Sequence, residues 1–384
     1  MKYDFDTLWN RRGTGSLKWD VAEDELPMWI ADMDFQTAPE ITEALQERAA
    51  SGIFGYSILP DAWYQAYIDW WKERHHFCME KEWISFCTGV VTAISSIVRK
   101  MTTVGENVVV QTPVYHMFFH SIGDNGRKVL ENRLLYDGTE YRIDFADLEK
   151  KLSDPQTTMM ILCNPHNPIG KIWDRETLER IGDLCWKHHV LVLSDEIHCD
   201  LTAPGCEYIP FASVSEKCAA NSITCIAPTK TFNLAGIQTS AVVVPNETLR
   251  HRVVRGLYTD EVAEPNIFAV TAAISAFTQG GAWLDELRIY IQKNRELAEW
   301  FLENELPGVK VVPSKATYLL WLDCRDVSGD SDGLCQRIRE KSGLYLSEGS
   351  EYGECGKGFL RMNIACPRKR VQEGCLRLKQ GILD

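Results

Sequence analysis

Ala227-Pro228-Thr229-Lys230-Thr231-Phe232-Asn233-Leu234-Ala235-Gly236 places one lysine between a strand-like apolar run, 222–227, and a glycine-bearing turn. In that setting Lys230 is a candidate cofactor lysine. Two earlier segments are built alike: Asn164-Pro165-His166-Asn167-Pro168-Ile169-Gly170 and Ser194-Asp195-Glu196-Ile197-His198 each follow an apolar run. Polar groups at the ends of three strands are expected to meet in one active site.

From about residue 84 to 245, β-rich runs at 107–111, 159–163, 190–193, 223–227 and 241–244 alternate with segments of helical period. Continuously apolar strands of this kind are buried on both faces. Stretch 174–188 sets Leu178, Ile181, Leu184 and Cys185 on one face and reads as an amphipathic crossover helix. The fold class is therefore α/β with a largely parallel sheet, whose ligands bind beyond the carboxyl ends of its strands. After Gly280-Gly281 a helical pattern runs from Trp283 to about Glu305, where Pro307-Gly308 stops it. A smaller α+β unit follows, with strands expected at 309–312, 317–322 and 359–364 and a contribution from the N-terminal arm. No flexible linker separates the two units, so they are expected to be tightly joined.

The chain has 384 residues, 45% hydrophobic and 25% charged, enough for one or two substantial cores. A formal charge of −13 argues against nucleic acid or an anionic membrane as a partner, because both reward clustered Lys and Arg. Thirteen scattered cysteines without a C-x-x-C pair read as reduced thiols and point to the cytoplasm. The N-terminal Met1-Lys2-Tyr3-Asp4-Phe5-Asp6 lacks a signal-peptide core, and no apolar run has the length of a membrane span. The pairs His75-His76 and His188-His189 read as solvated helix ends, and no metal site is expected.

Thr88-Gly89-Val90-Val91-Thr92 precedes a helix expected over 93–101, an arrangement that offers free backbone N–H groups to an anion. Asp195 emerges from a buried strand, where its charge needs a cationic partner. An Arg, a helix end or a protonated pyridine nitrogen would each serve. Lys230 alone could be an exposed turn lysine; its combination with Asp195 and Asn167 favours the cofactor reading.

The segments Asn167-Pro168-x-Gly170, Asp195-Glu196-x-His198 and Thr229-Lys230-Thr231-Phe232-Asn233-x-x-Gly236 resemble those of the fold type I pyridoxal-phosphate (PLP) enzymes, the aspartate aminotransferase superfamily. Further marks are Trp29-Ile30-Ala31-Asp32-Met33-Asp34-Phe35, Phe54-Gly55-Tyr56, Pro113-Val114-Tyr115 and Phe359-Leu360-Arg361-Met362-Asn363-Ile364-Ala365. With them the chain resembles the MalY/PatB-type C–S lyases, the bacterial cystathionine β-lyases and cysteine desulfhydrases, over essentially its whole length. The resemblance implies a large PLP-binding domain, 46–282, with a mostly parallel seven-stranded sheet, and a small domain built from 1–45 and 283–384.

It also implies roles. Lys230 would hold the cofactor as an internal aldimine and shuttle the Cα proton, Asp195 would pair with the pyridinium nitrogen, and Asn167 would donate to the phenolic oxygen, with His198 nearby. Tyr115 would stack on the ring; Gly89, Val90, Val91 and Thr229 would bind the phosphate; Arg361, with Asn167 and Ala31 beside it, would take the substrate carboxylate. Tyr56 would reach a neighbouring subunit's phosphate, which makes a homodimer the working unit. Two positions depart from the wider superfamily: Gln238 replaces a phosphate-binding Arg, and Ala227 replaces a serine. The reaction implied is α,β-elimination on cystathionine, cysteine or a related amino acid, giving thiol or sulfide, pyruvate and ammonia. The alternatives are an aminotransferase, which shares nearly all these residues, and a regulatory protein that keeps the PLP scaffold but acts by binding another protein.

Overall fold

Seven strands form the central sheet of the structure, a computed structural model that describes residues 2–383. They are β1 (Ile84–Cys87), β2 (Asn107–Thr112), β3 (Lys128–Arg133), β4 (Thr157–Cys163), β5 (Leu191–Asp195), β6 (Ser222–Ile226) and β7 (Ser240–Val243), in spatial order β1-β7-β6-β5-β4-β2-β3. Six share one direction; β7 runs antiparallel between β1 and β6. Strands β4 to β7 are buried at every position but Thr158 and mostly apolar, as helices covering both faces require, with polar residues concentrated towards their ends. Edge strand β3, Lys-Val-Leu-Glu-Asn-Arg, has only two apolar residues and so lacks the continuous apolar run of the interior strands.

Helix Arg175–Lys187 is a crossover of the expected kind: Leu178, Ile181 and Cys185 are buried, and the Asp174 carboxylate caps it by accepting from Thr177 N. Helix Val90–Met101 starts three residues before the expected 93, with Gly89 as its cap.

The second sheet comprises β8 (Lys310–Val311), β9 (Leu319–Asp323), β10 (Ser347–Glu348) and β11 (Phe359–Asn363), in the antiparallel order β8-β9-β11-β10. The long helix preceding it runs Gly281–Glu305, so Gly281 opens the helix that was expected from Trp283. The N-terminal arm does not join this sheet. Leu26–Pro27 instead pairs in parallel with Leu344–Tyr345, a two-residue ladder in which Pro27 has no N–H to donate. Side chains hold the rest of the arm: Asn363 Nδ2 donates to Ile30 O and Asp32 O, both at 2.7 Å. Buried Asp34 accepts from Arg11, Lys18 and Trp19 and pairs with Arg370 at 3.2 Å. The expected domain boundaries both fall inside helices, Pro39–Ala50 and Gly281–Glu305.

All thirteen cysteines are unpaired thiols. Among the described residues no single helix is long and apolar enough to cross a membrane. His75 is not solvated, contrary to expectation: it ends helix Asp61–His75, but its Nε2 lies 2.8 Å from buried Asp200 Oδ1. Asp200 also accepts from Trp70 Nε1 and Thr231 Oγ1, each at 2.9 Å, so helix end and Lys230 turn are tied through one carboxylate.

Candidate active site

The three motif segments follow adjacent parallel strands, and the register Cys163↔Asp195↔Cys225 sets the ends of β4, β5 and β6 side by side. The turn after β4 carries Asn167, β5 ends on Asp195, and the turn Pro228–Thr231 after β6 carries Lys230. The N-terminus of helix Val90–Met101 closes the fourth side. Together they line a pocket of about 260 Å³ that gathers Ala31, Gly89, Val90, Val91, Tyr115, Asn167, Asp195, His198, Thr229 and Lys230.

Lys230 Nζ donates to Ala31 O at 2.5 Å, and the buried Tyr318 hydroxyl donates to the same carbonyl at 3.0 Å. Burial lowers the Lys230 pKa to about 8 against the opposing pull of Asp32, with the Arg361 charge also favouring the neutral amine. Asp195 is 4% exposed, and its Oδ1 accepts from Ile197 N at 3.2 Å. Burial raises its pKa to about 7; the Ile197 amide and Lys230 offset this only in part. Burial, with the charges of Lys230 and Arg361, lowers His198 to about 3, so its ring is neutral at physiological pH. The buried His198 Nδ1 has no hydrogen-bond partner among the described residues.

Arg361, on β11, reaches the pocket wall through Asn167. It donates from Nη1 to Asn167 Oδ1 at 3.4 Å, and from Nη2 to Trp29 O at 2.7 Å and Ser347 Oγ at 3.4 Å. All three acceptors are neutral, and the buried Nε has no partner among the described residues. Donor capacity and charge are both left for a carboxylate. Gly89 caps its helix without any side-chain bond, so the first-turn amides face the pocket as an anion cradle. The Tyr115 ring stands edge-on to His116 at 5.0 Å and to Phe118 at 6.0 Å, and burial raises its pKa.

Tyr56 is the one predicted residue outside this assembly. It is fully exposed in an irregular segment beside Ile53, Phe54 and Ile58, which are also exposed.

Several residues here were not singled out from the sequence as site residues. Tyr318 shares the Ala31 carbonyl with Lys230, and Cys163 lines the pocket beneath Asn167. Asn233, in the left-handed region at φ 56°, donates to Met33 O and Phe35 O and accepts from Met33 N. That asparagine pins the arm over Lys230. A polar residue tolerant of positive φ, three beyond a candidate lysine, was the available signal. Gln238, already set apart in the sequence, lines the pocket as well.

The family profile of aminotransferase class I and II matches residues 24–378. Cystathionine beta-lyase PatB of Bacillus subtilis (strain 168) is 46% identical over 99% of this chain and 100% of its own length. Protein MalY of Escherichia coli (strain K12) is 33% identical over 99% of each chain. Cystalysin from Treponema denticola, whose crystal structure contains a pyridoxal 5'-phosphate cofactor, superposes with a TM-score of 0.96 at 34% identity, covering 99% of both chains. A chain with this strand order, these pocket-lining turns and this whole-length similarity belongs to the aminotransferase class I and II family.

Proposed function

We propose that the protein is a PLP-dependent carbon–sulfur β-lyase that cleaves L-cystathionine, L-cysteine or a related sulfur amino acid into a thiol or sulfide, pyruvate and ammonia. The carrying observation is the pair at the strand ends: a lysine held towards neutrality and a buried carboxylate lacking a full counter-charge, in one pocket. Relatives named cystathionine beta-lyase, at 46% and 30% identity, favour elimination over transamination.

The residues fit the cofactor on chemical grounds. Asp195 wants a cationic hydrogen-bond donor, which a pyridinium N–H is; the helix end, which no side chain caps, and Thr229 suit a phosphate; Tyr115 offers a ring face. When bound, PLP supplies an electron-accepting ring that takes up the electron pair left at Cα.

Lys230 would hold the cofactor, and its amine would act on the substrate's Cα proton. A pKa near 8 leaves a useful fraction of the amine neutral at physiological pH. Asp195 would hold the proton at the ring nitrogen, and Asn167 and neutral His198 would serve the phenolic oxygen. Arg361 grips the substrate carboxylate, with Asn167 and the Ala31 carbonyl orienting the rest. The arm pinned by Asn233 and Asn363 supplies the Ala31 carbonyl that receives Lys230. The Cβ–S bond then breaks with its electron pair going to sulfur, and hydrolysis of the remaining three-carbon fragment gives pyruvate and ammonia.

We also propose a homodimer in which Tyr56 completes the partner's phosphate site; the exposed apolar run around it supports an interface there. The domains of this reading are 46–282, and 1–45 with 283–384. The free thiols support a cytoplasmic location.

The test is incubation of PLP-loaded protein with L-cystathionine without any keto acid. Sustained, equal release of pyruvate and free thiol is expected. Turnover that stops after one equivalent and resumes only with added keto acid would make the protein an aminotransferase.

A further inference from the structure

Arg288 and Arg295 lie two turns apart on helix Gly281–Glu305, and both line one small cavity of about 10 Å³, walled also by Thr202, Lys315 and Thr317. Arg295 is 4% exposed and donates to Ser314 Oγ and, at 3.0 Å, to Thr317 O. Arg288 donates at 2.8 Å to both Thr202 O and Thr202 Oγ1, and at longer range to Ala203 O and Cys206 O. Every one of these acceptors is neutral.

The carboxylates in the neighbourhood do not answer the charge. Glu299, one turn beyond Arg295, acts on it only from a distance, and Arg288 feels Asp285 and Asp200 in the same way. Asp285 is paired with Arg74 at 2.7 Å, and Asp200 is taken by His75, Trp70 and Thr231. Burial accordingly lowers the Arg295 pKa to about 10. A buried guanidinium without a counter-charge is costly, and the usual remedy is an anion.

We propose that this cavity binds one halide-sized monovalent anion between Arg288, Arg295 and Lys315. Room for about one water-sized sphere suits a monatomic ion better than phosphate or sulfate. The location gives the ion a structural consequence. Segment 201–203, just after His198, runs beside segment 315–317: Ala203 N donates to Lys315 O and Thr317 N to Leu201 O, each at 2.7 Å. Tyr318, next in line, holds the Ala31 carbonyl at Lys230. An anion here would brace the junction between the two sheets and, through it, the lid over the lysine.

The test uses the PLP-loaded protein in crystals soaked with sodium bromide and in melts with chloride or gluconate at equal ionic strength. An anomalous bromide peak in contact with Arg288 and Arg295 is expected, together with a saturable rise in Tm in chloride that gluconate does not produce. Lys315 is exposed, so Lys315→Ala removes one charge without threatening the core; it should raise the half-saturating chloride concentration several-fold. A water without anomalous signal in the cavity, or identical melting in the two salts, would overturn the proposal.

Discussion

Asp195→Asn exchanges a buried carboxyl, raised by burial from 3.8 to about 7, for a neutral side chain of the same shape. In the unfolded chain the carboxyl ionises near ~3.9. Because the folded pKa is the higher of the two, the native state binds more protons between them. The stability carried by the protonated acid is complete below about pH 4 and is lost as pH rises towards 7. A difference of about 3 units at ~1.4 kcal/mol each makes the loss about 4 kcal/mol. Asparagine does not titrate. The cofactor-free variant should therefore match the cofactor-free parent near pH 4 and exceed it by up to about 4 kcal/mol above pH 7. For 384 residues at ~2 cal/mol/K of unfolding entropy each, that is a Tm gain of about 5 °C. Activity should move the other way: with PLP bound, losing a charge-assisted bond to the ring nitrogen should cut turnover about 10- to 100-fold. The assay is unfolding of both cofactor-free proteins between pH 4 and 8. A stability gap that does not widen with pH, or a parent more stable than the variant at pH 7, would refute the reasoning.

Gly170→Ala should cost about 2–4 kcal/mol in urea unfolding: its φ is +61°, and an added Cβ would lie 2.5 Å from Ser314 Cβ and 2.6 Å from Ala316 O. Arg361→Lys keeps the charge but loses the fork, so KM for L-cystathionine should rise about 10- to 100-fold with a smaller change in kcat; a pure kcat effect would remove Arg361 from carboxylate binding. Tyr56→Ala and Lys230→Ala should each be nearly inactive alone, yet mixed and reassembled they should regain activity, because hybrid dimers contain one site with both residues. Failure of hybrids to regain activity would place Tyr56 outside the partner's site.

The apolar interior strands were legible because burial on both faces leaves a continuous signal, and β4 to β7 lie within two residues of the expected ranges. Edge strand β3 was not legible, since half of its residues carry charge and both of its ends are exposed. The sequence hides the helix start at Val90 because Val90 and Val91 are β-branched and follow a glycine turn. The position of His75 at a helix end suggests solvent; the long-range approach of Asp200 and the Tyr208 ring covers its side chain. Tyr318 and Asn233 escaped as site residues because both act on the backbone of residues 31–35, about 200 to 290 positions away in the chain.

The sequence by itself determined the class of sheet, the three strand-end turns and the identities of the lysine, aspartate and asparagine they carry, because each depends on local pattern: apolar runs, turn residues and their order. Tertiary structure alone decided the electrostatics. The neutral tendency of Lys230, the raised pKa of Asp195, the unpaired charge of Arg361 and the arm closed over the lysine all depend on burial and on groups distant in sequence. Desolvation depends on how completely the surrounding chain excludes water, which local sequence does not encode.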